Sequence, residues 1–220
     1  MEFVDTNTTL RNIGQKIRGA PMVTLRRAMI QACRDFCAQT HWLRDTVVMD
    51  TTTSSGIEGD YEIVLDDPTL LEVVAIRNDI QVLDPGTNKH VRAYPEPDPS
   101  CWNPDVTTGT PRWYAYVPEG MFKLYPPPDK TYGLTITAVV QPRDDVARLP
   151  RDLFKKHQRV LDAGALAYLH VIDKQAFSNP REGVRQQTIF QAGINNAKAD
   201  AQRNYATGSQ RAKPRRFTRL

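Results

Sequence analysis

The hydrophobic period of this chain changes twice, and that change constrains its fold more than any other feature. Over residues 21–43 the apolar positions Met22, Leu25, Met29, Ala32, Cys33, Phe36 and Leu43 recur at helical spacing, while Arg26, Arg27 and Arg34 fall on other faces. Pro21 suits the first helical turn, where a missing N–H costs nothing. The preceding TNTTLRNIGQKIRGA has only weak periodicity, with room for a short helix. After Asp45 the period shortens to that of strands. TVVMDTT, YEIVL, LEVVAIR, QVL, KHVRAY, RWYAYV, MFKLY and LTITAVV are short and rich in β-branched and aromatic residues. Turn chemistry separates them: Asn78-Asp79 predicts a two-residue hairpin, and Asp84-Pro85-Gly86 and Pro118-Glu119-Gly120 predict two further turns. The stretch 94–111, with five prolines, is longer than an ordinary connection and is expected to be functional or mobile.

The helical period returns at Pro150. Leu153, Val160, Leu161, Gly164, Ala167, Tyr168, Val171 and Ile172 form a stripe, and Ala163-Gly164-Ala165 would admit a second helix at close range. Asn179-Pro180-Arg181-Glu182 then reads as a helix start, with an N-cap Asn, Pro in the first turn and Glu placed for a capping box. Phe190, Ile194, Ala197, Ala201 and Tyr205 continue that helix, and Gly208 is a plausible stop. The expected fold is therefore α+β: a three-helix base (helices near 21–43, 150–175 and 180–207) carrying an inserted antiparallel β-sandwich or meander.

Charge divides the chain at the same places. Residues 1–43 carry 6 basic and 3 acidic side chains, residues 44–147 carry 8 and 17, and residues 148–220 carry 15 and 5, so basic ends flank an acidic middle. That is the pattern of a middle segment forming one body while the two ends meet in another. The boundaries expected are 1–43 plus 148–207 for a helical domain, 44–147 for a β-domain, and 208–220 for an extended basic arm.

Other classes find little support. No apolar run approaches the length of a membrane span, and MEFVDTNTTL lacks the charged and apolar regions of a signal peptide, so no membrane partner and a cytosolic origin are expected. Three cysteines make no disulfide framework. Cys33, Cys37 and His41 stack at i, i+4 and i+8, but eight helical residues span about 12 Å, too far for one ion whose ligands lie about 2 Å away; core thiols are the simpler reading. The acidic cluster Glu58, Asp60, Glu62, Asp66 and Asp67 lacks the glycine and terminal glutamate of a calcium loop. His90, His157 and His170 are scattered, and no hydrolase, zincin, Walker or dinucleotide motif is present. No residue is nominated as catalytic, and no cofactor or metal is expected.

The end of the chain, GSQRAKPRRFTRL, holds the candidate site: Arg211, Lys213, Arg215, Arg216, Phe217, Arg219 and Leu220. Its cations would release counterions from nucleic acid and give salt-dependent binding. Its single aromatic makes no stacking platform, while Phe217 and Leu220 are side chains a phosphate-binding tail does not need. They argue for insertion into a groove on a protein.

Three features together resemble the head-to-tail adaptor (connector) proteins of short-tailed bacteriophages, the tail tubular protein A-like group. They are the R-D-F-C-x-x-T-x-W helix end (Arg34, Asp35, Phe36, Cys37, Thr40, Trp42), the Leu149-Pro150 helix start with Gly164-Ala165 before Leu169, and the Asn-Pro capped last helix with Phe190 and Ile194. The resemblance covers most of residues 20–207. It implies a helical bundle with an inserted β-sandwich, and a dodecameric ring of copies beneath the portal protein of a DNA-filled capsid. It further implies that the ring extends the channel for genomic DNA, docks a tail or nozzle protein, belongs to the virion neck, and assembles in the host cytoplasm. The arm would then enter the portal, a neighbouring copy, or both. Arg148, Arg151, Lys155, Lys156 and Arg159 would hold DNA if they faced the channel; an acidic lumen would let it slide.

Overall fold

The computed structural model describes residues 1–51, 60–96, 100, 102 and 107–204. It is a mixed α+β protein in which five helices accompany a curled sheet.

The chain opens with a short strand, β1 (Phe3–Asp5), and two short helices, α1 (Thr6–Thr9) and α2 (Arg11–Lys16). β1 pairs with β10 (Arg148–Pro150), the strand just before the second long helix. The Thr6 hydroxyl donates to the Ala147 carbonyl at 2.8 Å, extending that junction. Residues near the start and near position 148 thus meet in space, and strands of three residues carry too little alternation to be seen in sequence.

The long helices are α3 (Met22–Thr40), α4 (Arg151–Val171) and α5 (Pro180–Asn204). α4 packs on both α3 and α5, and α3 also lies against the sheet. Three of the expected ends shift: α4 stops at Val171 rather than near 175, because Ile172 is already extended. Pro21 is the N-cap of α3 rather than a first-turn residue, and the helix stops at Thr40 because His41 turns left-handed, with φ 52°. Leu43 is still buried, but in the extended chain beyond the helix.

The eight strand-like segments of the middle all form strands: β2 (Arg44–Asp50), β3 (Tyr61–Glu62), β4 (Leu71–Ile76), β5 (Ile80–Asp84), β6 (Lys89–Pro95), β7 (Trp113–Val117), β8 (Met121–Tyr125) and β9 (Gly133–Pro142). Their pairing departs from a meander. β9 is the spine, with β2 along one edge and β4 followed by β5 along the other, all antiparallel to it. Consequently Asn78-Asp79 is not a hairpin turn. It is a kink between two strands that run collinearly along β9, bridged by the Arg77 N–H to the Thr137 carbonyl at 2.9 Å, with Asn78 at φ 60°. A left-handed Asn serves a kink as well as a hairpin, so the local signal was right and its use was different.

The other two turns stand where expected. At the β5–β6 turn the Asp84 carboxylate accepts from the Gly86 N–H and the Thr87 hydroxyl, each at 2.9 Å. Lys130, 2.6 Å away, and then those two donors hold that carboxyl down at about 2. Glu119 and Gly120, at φ 73° and 82°, turn β7 into β8. The pair β6–β7 corrects the expectation of a purely antiparallel region: Tyr94 faces Trp113 in parallel. The connection 96–112 allows this, since parallel neighbours need a crossover of about a dozen residues. Residues 97–99, 101 and 103–106 of the proline-rich stretch lie outside the described residues, while Trp102 stacks on Tyr125 with centroids 5.0 Å apart.

The sheet curls until its far strands touch its near ones. The Tyr116 hydroxyl donates to the Val73 carbonyl at 3.2 Å, and that of Tyr114 to the Asn78 carbonyl. Apolar side chains from the helices (Met29, Phe36, Leu161) and from the strands (Val82, Phe122, Ile136) belong to one continuous core. Arg34 of α3, largely buried, ties the two parts with Glu72 and Asp144 at 2.9 Å each and the Pro142 carbonyl at 3.0 Å.

Candidate docking surface

α4 is enclosed through its middle because its neighbours come unusually close. A Cβ on Gly164 would lie 2.8 Å from two Phe190 ring carbons and 3.0 Å from the Ala32 Cβ. One on Gly193 would lie 2.5 Å from both methyls of Val160. The Ala-Gly-Ala segment therefore admits α3 on one side and α5 on the other, as its small residues suggest. At the start of α5 the Asn179 carboxamide accepts from the Glu182 N–H at 3.2 Å. The reciprocal half of a capping box does not form, because the Asn179 N–H is taken by the His170 carbonyl at 3.0 Å and Glu182 accepts from Gln186. That bond to His170 locks the turn between α4 and α5.

Beyond Ala167 the α4 stripe changes role. Tyr168, Val171 and Ile172, which continue the apolar spacing, are not core residues: Val171 is 62% exposed. Across from them on α5, Val184 is 68% exposed. Val184, Thr188, Gln191 and Asn195 recur every three or four residues and so share one face of the helix. Together these two helix segments bound an open groove of about 860 Å³. Its lining is mainly apolar, with the amides of Gln187, Gln191 and Asn195 and the Thr188 hydroxyl, and among the described residues no charged side chain lines it. Tyr168 is fastened across to α3 by its hydroxyl, which donates to Asp35; burial and then the Asp35 carboxylate push that phenol up to about 12.

A groove of this composition cannot neutralise phosphate or polarise a substrate. It can take apolar side chains and satisfy a peptide backbone through the amides of Gln187 and Gln191. Sequence reasoning missed it because apolar spacing does not distinguish a side chain facing the core from one facing a partner. The one available signal was Val184, an apolar residue off the buried stripe of α5.

The residues expected to bind a partner, Arg211, Lys213, Arg215, Arg216, Phe217, Arg219 and Leu220, lie outside the described residues, as do Tyr205, Gly208 and Glu58. Of the cations considered for DNA, Arg151 pairs with Glu2, Lys155 lies 3.4 Å from Asp152, and Lys156 sits over the Trp42 ring at 5.2 Å. Cys33 and Cys37 are buried free thiols, both pushed up by burial, and His41 leaves the helix they share. Among the described residues no group of three or more His, Cys, Asp or Glu is gathered as for a metal ion, and no helix is long and apolar enough to cross a membrane.

Asp162, buried, and His157, half-buried, are two further titratable groups of α4. Asp162 of α4 accepts from the Asn12 amide at 3.2 Å through one oxygen, while the other has no partner among the described residues, and burial raises its carboxyl. His157 packs against Phe36 and Trp42 with centroids at 4.8 and 4.4 Å; burial and then Lys156 lower it.

Comparison with known proteins returns one family: a model described as SU10 adaptor protein matches residues 10–214. No curated protein matches the chain.

Proposed function

The chain belongs to the SU10 adaptor protein family, and we propose that it works as a phage head-to-tail adaptor that forms a ring beneath the portal. Membership implies a structural role, contacts with portal and tail proteins, self-association and a location at the virion neck. The observation that carries the reading in this chain is the uncharged apolar groove on α4 and α5, a surface suited to protein and not to DNA.

In this reading residues 1–43 and 148–207 form the portal-facing part, and 44–147 form a β-body directed toward the tail or nozzle protein. The ring, dodecameric to match the portal, assembles in the host cytoplasm and extends the channel through which genomic DNA leaves. Heterologous contacts close into such a ring because the portal fixes the rotation. The acidic middle of one copy against the basic helical part of the next would steer those contacts. The arm 208–220 enters a protein groove through Phe217 and Leu220, its arginines supplying complementary charge.

Deleting residues 208–220 tests the arm. Attachment to purified portal, followed by sedimentation, is expected to fall while the circular dichroism melt is unchanged; normal attachment would refute the arm's role. A second reading, nucleic-acid binding, is favoured by the cation density of the tail. It requires duplex affinity that falls steeply with salt and is lost when Arg215 and Arg216 become Ala. The adaptor reading makes Phe217→Ala and Leu220→Ala the more damaging changes.

A further inference from the structure

We propose that the α4/α5 groove of one copy receives residues 211–220 of a neighbouring copy, with Phe217 and Leu220 as its anchors; this rests on the ring-forming reading above. The groove needs a covering. Val171, Ile172 and Val184 expose apolar surface in one place, whereas scattered single apolar residues would need no explanation.

The segment fits that surface in composition. Phe217 and Leu220 are three residues apart, so a helical turn or a polyproline II conformation puts both on one side. Arg216 and Arg219 then share another side and stay in water. The lining carries no charge that would have to be desolvated against those arginines, and Asp35, bonded to the lining residue Tyr168, supplies a carboxylate at the edge.

Length and exit point favour a neighbour. The described chain ends with α5 at Asn204, about 30 Å along the helix from Val184. The groove lies at the opposite end of the α4–α5 hairpin, beside its connecting turn. Thirteen residues from Asn204 to Phe217 reach about 43–47 Å when extended, enough to cross an adjoining helix pair. A segment leaving one end of a unit for a site at the other end makes a head-to-tail contact, which closes into rings. Folding back on its own groove would reverse the chain and leave that contact without a role in assembly.

The test places a benzoylphenylalanine at position 217 in full-length protein. Isotopically light and heavy chains are mixed equally and irradiated both alone and assembled on portal. Crosslinks from position 217 to peptides of α4 or α5 are expected, about half of them joining light to heavy chains, as random mixing requires. Val184→Asp is expected to lower their yield at least tenfold without moving the thermal melt, since Val184 is exposed. Crosslinks only within one isotope, only to portal, or none at all would overturn the proposal. Attachment to portal is read separately by sedimentation. Normal attachment without groove crosslinks defeats this inference alone, whereas absent attachment with groove crosslinks defeats the portal reading and leaves the inference standing.

Discussion

Replacing Gly193 by Ala should loosen the α4–α5 contact on which the docking groove is built. A Cβ there would meet both methyls of Val160 at 2.5 Å and its Cβ at 3.0 Å. Contacts of carbon with carbon are comfortable at about 3.5–4.0 Å, so the helices would have to part by roughly 1 Å. Val160 cannot swing aside, because a β-branched side chain in a helix has essentially one rotamer and its Cβ is fixed to the backbone. Overpacking of this kind costs about 1–3 kcal/mol, against which the better helix propensity of Ala returns about 1 kcal/mol. The net expectation is a loss of about 0–2 kcal/mol, or up to about 8 °C in melting temperature for a chain of this size. The assay is urea and thermal unfolding of four proteins: wild type, Gly193→Ala, Val160→Ala and the pair. Removing the Val160 methyls makes room, so Gly193→Ala should be neutral or stabilising in the Val160→Ala background, with a coupling of about 1 kcal/mol or more. Additive effects, or a single Gly193→Ala that melts higher than wild type, would refute the close-contact reasoning.

Three further perturbations follow from the same packing. Arg34→Ala should cost about 2 kcal/mol, since it removes the charged bonds from α3 to Glu72 and to the Pro142 carbonyl, leaving Glu72 to Gln141 alone; denaturant unfolding checks it. Asp162 has a raised folded value, so its contribution is present below the ordinary carboxylate range and is lost as pH rises through that raised value. Wild type should therefore lose stability relative to Asp162→Asn as pH rises above the ordinary carboxylate range, read from melts between about pH 4 and pH 7. His157 is lowered in the fold, so the unfolded chain takes up the proton first, and stability should fall as pH drops through its ordinary 6.5; His157→Phe should flatten that dependence.

Much of the fold was legible because its signals are local. Alternation in LTITAVV and MFKLY marks strands, and Asp84-Pro85-Gly86 marks a turn whose bonds close within four residues. Partners were not legible. Nothing in the sequence says that β4 and β5 share one edge of β9, or that β6 meets β7 in parallel, since both depend on chain segments that are distant in sequence. The docking surface was half visible. Tyr168, Val171 and Ile172 were marked as apolar and helical, yet their exposure follows from where α5 lies, and the same spacing serves a core. Gly164 was readable as a close approach because small residues in a helix have few other uses.

We propose that this member of the SU10 adaptor protein family forms a ring on the portal. Electron microscopy of the purified chain with and without purified portal tests it most directly. The account predicts a closed ring of copies seated beneath the portal, with the helical part against it; portal particles that stay bare at saturating adaptor, with no ring in either sample, would contradict it.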